Sequence, residues 1–205
     1  MKTPKGKTAK KSSIRRVPVA RQLVLRVVLV HSKPVIWRRI VIPEAFTLEQ
    51  LHRVVQLAFL WLDYHLYEFR IGGRRFERPE AESAGEVAAD VTLTSLKLTK
   101  GARFTYLYDF GDDWEHEITV EAADPLANAD GFEWLPRILG GERAGPPEDV
   151  GGMPGYMDFL AVLKDPAHPE HAERREWAPP GFDPAQFDVA AADHALTLTS
   201  AWGAI

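Results

Sequence analysis

The chain has 205 residues, 45% hydrophobic and 26% charged, with 29 acidic against 25 basic side chains; such values exclude the collagen-like, coiled-coil and wholly disordered classes. A chain of this length buries roughly 70% of its unfolded surface, so it is expected to fold unaided around its ten Phe, six Trp and five Tyr. It has no cysteine, which removes disulfides, thiolate metal sites, iron–sulfur clusters and cysteine nucleophiles together.

Charge is unevenly spread. Residues 1–21 hold eight of the 25 basic side chains and no acid, so the remainder sets 17 bases against 29 acids, a net of −12. A weakly hydrophobic segment with that much like charge does not repay its ordering entropy, and residues 1–21 are expected to be a disordered basic tail. Lys5, Lys7, Lys10, Lys11, Arg15 and Arg16 make it available to nucleic acid through counterion release; a solvated extension, or one folded back on the acidic body, is the alternative. The apolar run Leu23–Val30 carries Arg26 in its middle and is too short to span a bilayer. A cytoplasmic protein without membrane contact is the expectation.

Gln22–His31 is apolar on both faces apart from Arg26 and reads as a central strand; after Lys33-Pro34, Val35–Ile42 reads as a second strand ended by Pro43. Thr47-Leu48-Glu49-Gln50 is a capping box, and Leu48, Leu51, Val54, Val55, Ala58, Phe59 and Leu62 recur at helical spacing, which predicts a helix through about Leu60. Tyr64–Ile71 and Arg74-Arg75-Phe76 predict a hairpin turned by Gly72-Gly73. Residues 78–90 read as a surface loop, and Thr94–Lys100 as a short helical turn before Gly101. Phe104–Phe110 and Trp114–Glu121 alternate around Gly111-Asp112-Asp113, which predicts a hairpin with an aromatic inner face and an acidic outer one. One further strand is expected over Phe132–Leu139, then a turn-rich run Gly140–Gly155, then short helices starting at Pro154, near Pro169 and at Asp183-Pro184-Ala185-Gln186. The order predicts an α+β single domain over 22–200, with an antiparallel or mixed sheet, one long helix and several short C-terminal helices.

Three segments concentrate polar groups. In Tyr108–Glu117, Asp112 and Asp113 occupy the hairpin tip while His116 points inward beside Trp114, a pattern that suits a base or a metal ligand and equally suits a turn with a satisfied core histidine. In Trp61–Phe69, Asp63 is placed to accept from His65, either as a catalytic or metal-supporting pair or as a corner. Pro146-Pro147-Glu148-Asp149 is rigid and presents two carboxylates. His168 and His171 lie three apart with Pro169 between them, which favours capping over metal binding. No phosphate-binding glycine loop or serine-hydrolase elbow is present; Asp109-Phe110-Gly111 has none of the other kinase motifs. No cofactor and no metal centre are assigned.

Pro34-Val35-Ile36-Trp37-Arg38-Arg39, Thr47–Phe69, Tyr108-Asp109-Phe110-Gly111-Asp112-Asp113-Trp114-Glu115-His116, and Pro146–Gly152 with Gly155-Tyr156 resemble the plasmid open-reading-frame-three-like family, also met as insertion-element passenger proteins. The likeness extends over residues 22 to about 195. It implies an α+β domain without an established activity, in a mobile-element setting that suggests a link to DNA. Many members carry cysteines flanking the Pro-Pro-Glu-Asp segment, where this chain has Gly145 and Val150, and a histidine where it has Tyr67.

Three readings follow. The first is a binding module with an aromatic groove near Trp37, His65, Tyr108, Trp114 and His116, with Asp63, Asp109, Asp112, Asp113, Glu148 and Asp149 as further candidate binding residues and a basic tail for nucleic acid. The second is a metal-dependent hydrolase with Asp112, Asp113, His116, Glu148 and Asp149 around one pocket. The third is an interaction domain whose polar clusters are structural. Catalytic residues, partner and oligomeric state are left open by the sequence.

Overall fold

The first strand, β1 (Arg21–Leu29), alternates Leu23, Leu25, Val27 and Leu29, all essentially buried, with the more exposed Gln22, Arg26 and Val28. That alternation gives the sheet an inner and an outer face. A computed structural model describes residues 21–78, 85–125 and 135–201. The strands that follow are β2 (Trp37–Pro43), β3 (Tyr67–Ile71), β4 (Arg74–Glu77), β5 (Glu86–Val87), β6 (Arg103–Tyr108), β7 (Trp114–Pro125) and β8 (Arg137–Glu142). They form one sheet in the order β5-β4-β3-β6-β7-β1-β2-β8, antiparallel except for the β4–β5 pair, so the architecture is α+β with a mixed sheet. β1 lies between β7 and β2, as a strand apolar on both faces should.

The helix α1 (Leu48–Phe59) starts at the capping box: Gln50 N–H donates to Thr47 Oγ1 at 3.2 Å and Thr47 N–H to Gln50 Oε1 at 2.9 Å. Its stripe of Leu48, Leu51, Val54, Val55, Ala58 and Phe59 is buried in the core. It stops because Leu60 takes a left-handed conformation (φ 62°), with Leu60 N–H on Leu57 O and Trp61 N–H on Gln56 O; this two-bond closure usually falls to glycine. The turn leaves Leu60 exposed and sends Trp61 inward. The remaining helices are α2 (Leu93–Leu96), α3 (Gly152–Lys164), α4 (His171–Trp177) and α5 (Val189–Ala201).

Several expectations change. Arg21 belongs to β1, where it pairs with Glu44 at 3.3 Å, while residues 1–20, which carry the expected disordered tail, lie outside the described residues. The last strand runs on through Gly140 and Gly141: a Cβ on Gly141 would lie 2.6 Å from Phe187 and 2.9 Å from Arg38, so these glycines serve close packing rather than a turn. Asp183–Gln186 is an isolated turn; the helix begins six residues later, where Asp188 caps Ala191 N–H at 2.9 Å. With 13 residues each, α3 and α5 are as long as α1, so the chain does not have one long helix and several short ones. His168 accepts from Glu170 N–H at 3.2 Å and His171 meets Val162 O, so the two rings hold chain rather than each other. Among the described residues no helix is long and apolar enough to cross a membrane.

Candidate functional site

Three segments remote in sequence meet at one end of the sheet: the α1–β3 connection (60–66), the β6–β7 tip (109–113) and the loop 146–151. Trp61 Nε1–H donates to Pro146 O at 2.9 Å; Glu148 Oε1 accepts from Leu62 N–H at 2.8 Å and from the Tyr108 hydroxyl at 3.0 Å. Asp112 Oδ2 accepts from Gly151 N–H at 3.1 Å, which ties the hairpin tip to the loop. Glu148 Oε2 is buried without a partner.

At this junction His65, Asp109 and Asp149 bring three potential ligand atoms within 4.8 Å of one another, the one such His and carboxylate group of three or more among the described residues. His65 Nε2 lies 3.0 Å from Asp149 Oδ1 and 3.6 Å from Asp109 Oδ2. Despite this proximity Nε2 makes no hydrogen bond of acceptable angle, and the atom is buried. Asp109 is held from both sides: its N–H donates to Leu66 O at 2.9 Å and its Oδ1 accepts from Gly111 N–H at 2.9 Å, leaving Oδ2 toward His65. Asp109 and Asp149 both sit at φ 56°, a conformation that aspartate tolerates better than most residues and that concentrates at functional sites.

The other histidines differ. Asp63 does not pair with His65; it accepts from His52 Nε2 at 2.8 Å and from the Arg78 guanidinium. His52 Nδ1 then accepts from the Tyr106 hydroxyl at 2.8 Å, and that oxygen accepts from Gln56 Nε2 at 3.0 Å, which closes the network around a neutral ring. Burial is the largest influence on His52 and pushes its pKa below the usual value against the pull of Asp63. For Asp63, burial works to raise the pKa, but the His52 hydrogen bond and the charge and hydrogen bond of the Arg78 guanidinium outweigh it and hold the carboxyl low. His52 carried no signal in sequence because it and Gln56, one turn later, are polar residues set into a largely apolar helix face, with no motif to mark them.

His116 is fully buried against Phe59, Trp61 and Tyr106. Its Nδ1–H donates to Trp114 O at 3.0 Å, its Nε2 has no partner, and burial pushes its pKa down to about 3. It therefore does not share a pocket with Asp112 and Asp113. Of the carboxylates grouped with it in the hydrolase reading, Asp149 joins His65, Asp112 and Glu148 fix loops, and Asp113 is exposed at the tip. Trp114 is buried beside Trp61. Trp37 leaves the group altogether: it lies on the outer face under the Arg26 guanidinium, 4.3 Å from the ring centre, in an open depression of about 610 Å³ with Arg39 and Lys100.

A sheet covered by helices on its inner face, with three loops locked at one end, defines an α+β protein with a polar junction built from its own connections. The chain belongs to the plasmid pRiA4b ORF-3-like protein family, whose model matches residues 21–191. It is 42% identical over 178 residues to a Sinorhizobium fredii protein named "Uncharacterized protein y4hQ", covering 85% of this chain and 88% of that one. Its fold is similar to the crystal structure of the protein of unknown function MM3350 from Methanosarcina mazei Go1, with a TM-score of 0.74 and 34% identity over 85% of this chain and 98% of the other.

Proposed function

We propose that the protein is a binding module whose centre is a divalent cation held by His65, Asp109 and Asp149. The observation that carries this reading is the His65 Nε2 atom, buried and without a hydrogen bond, facing two carboxylate oxygens at 3.0 and 3.6 Å. Ligands that each sit about 2.0 to 2.2 Å from one ion lie roughly 3 to 3.6 Å apart, so both contacts match a shared cation. One imidazole and two carboxylates suit Zn²⁺ or Mn²⁺. The surroundings support contact with a partner: Leu60, Leu62, Tyr64 and Phe110 are all large, apolar and exposed on the segments that build the site.

The test is thermal unfolding with calorimetric titration of Zn²⁺ and Mn²⁺. At roughly a hundredfold excess over Kd, one ion per chain raises Tm by about 5 °C or more. His65→Ala and Asp109→Asn remove the shift. A wild-type protein that purifies without metal and responds to neither ion overturns the reading.

The same site favours a second reading. Three protein ligands leave coordination positions for water, which a cation acidifies, so a metal-dependent hydrolase is built from His65, Asp109 and Asp149 rather than from a set that includes His116. Metal-dependent turnover of p-nitrophenyl phosphate or acetate, lost in His65→Ala, distinguishes it from binding alone. Nucleic-acid contact rests on a separate observation, the eight basic and no acidic residues of 1–21. Deleting residues 1–20 is expected to abolish DNA retention at about 50 mM salt; unchanged retention removes the tail from the function.

A further inference from the structure

On the outer face of the sheet, away from the cation cluster, a positive depression stands on a negative body. Beyond residue 21 the chain sets 17 bases against 29 acids, yet the open depression of about 610 Å³ around Trp37 is lined by Arg26, Arg39 and Lys100, with Glu121 as its one acid. Glu121 is spent on Arg39, and Arg26 and Lys100 form no ion pair among the described residues. Two positive charges are left over. Register makes their placement costly: Arg26 stands directly opposite Arg39 in the β1–β2 pair. Like charges set across two strands destabilise the pair, and one carboxylate neutralises only one of the two guanidiniums.

Arg26 also lies over the Trp37 indole, and both side chains line the depression and are half-buried. A planar ligand therefore meets a guanidinium backed by an aromatic ring, both held on neighbouring strands. Bases stack on guanidinium planes and on aromatic rings alike, while Lys and Arg take the phosphates between them. The chain reaches this platform from its most basic stretch. β1 begins at Arg21, the last of the eight basic residues of 1–21, and Arg26 follows five residues along it, about 17 Å at the rise of a strand.

We propose that this depression binds single-stranded nucleic acid, one base stacked on the Arg26–Trp37 pair and an adjoining phosphate on Lys100. The site is distinct from the contact read from residues 1–21, and the two stand or fall separately. A base within a duplex is covered on both faces by its neighbours and offers this platform no ring surface, so stacking selects the single strand. Phosphate contacts alone do not make that distinction, because both forms carry the same groups. With only two charges unpaired, the stack rather than the charge sets the preference.

The experiment measures the fluorescence anisotropy of a labelled oligothymidylate of about 15 nucleotides, and of a duplex of the same length, with the full chain at about 50 mM salt. The single strand is expected to bind more tightly. Trp37→Leu is expected to weaken it about tenfold, the size of one base–aromatic stack, and to leave duplex affinity unchanged. Lys100→Gln alters an exposed loop residue and is expected to lower the slope of log affinity against log salt by about 0.7, one phosphate contact; should Trp37→Leu not fold, this variant decides. The tail is scored by duplex retention, which both variants keep and deletion of residues 1–20 abolishes; retention that survives the deletion removes the tail alone. Equal affinity of the full chain for the two forms overturns the proposal. So does single-strand binding that neither variant alters, or that poly-glutamate of equal charge displaces as well as unlabelled oligothymidylate does.

Discussion

His52 and His65 stand 13 positions apart, and each contacts an aspartate at about 3 Å, at 2.8 and 3.0 Å respectively. One is closed and the other open. His52 is wholly buried, and both its nitrogens are spent, one on Asp63 and one on Tyr106, whose hydroxyl is spent in turn on Gln56. Nothing in that network is left to meet a ligand. His65 is part-exposed, its Nε2 satisfies neither neighbouring carboxylate by hydrogen bonding, and its segment is rimmed by exposed apolar side chains. Proximity of a histidine to an aspartate therefore says little by itself; the number of unspent donors and acceptors separates a structural pair from a site.

The largest expected effect comes from breaking the closed network. His52→Ala leaves the Tyr106 hydroxyl proton without its acceptor, removes one of the partners of Asp63 and opens a cavity beneath Tyr67, against which the ring stacks at 3.7 Å. A loss of about 3 kcal/mol is expected, read as a drop in urea midpoint at pH 7. A loss below about 1 kcal/mol would show that the network is not a stabilising unit.

Next in size is a pH effect that His116 shares with His52. Folded values of both imidazoles lie below the unfolded value, so the unfolded chain takes up the protons first as pH falls. Their contribution is complete above about pH 6.5 and is lost on going down through that window, for His116 toward pH 3. His116 alone should cost about 2 kcal/mol between pH 7 and pH 5. His116→Phe removes that slope and, because it also removes the unpartnered Nε2, changes stability at pH 7 by less than about 1 kcal/mol. Asp63, held low, adds a further loss only below the ordinary carboxylate range. Urea midpoints at the two pH values, for both proteins, decide this.

These contrasts track what could be read without coordinates. The capping box at Thr47, the apolar stripe of α1 and the aromatic hairpin β6–β7 are local patterns, and they appear where periodicity and cap chemistry put them. The partner of Asp63 was not local in the same sense. It depends on Leu60 taking a left-handed turn, which no glycine announces, and on that turn folding the connection back over α1 so that Asp63 meets His52. Trp37 was misplaced for another reason: β2 is apolar on both faces, so alternation alone did not say which face carries Trp37 and which carries Arg38. That the hairpin tip reaches the 146–151 loop rests on contacts more than 30 residues apart, for which the sequence holds no spacing rule.

The smallest expected effect on stability is the most informative about the open site. His65→Ala removes a part-exposed imidazole whose Nε2 holds no hydrogen bond, so it should cost less than about 0.5 kcal/mol in metal-free buffer. The same substitution should erase the thermal shift produced by Zn²⁺ or Mn²⁺, while His52→Ala, far more destabilising, should keep it once its lower starting Tm is taken into account. Cation affinity should also weaken as pH falls, because a proton competes for the imidazole nitrogen that the ion needs. If His65→Ala instead destabilises the metal-free protein as much as His52→Ala does, the two histidines are alike, and the contact to Asp149 is a structural ion pair rather than half of a binding site.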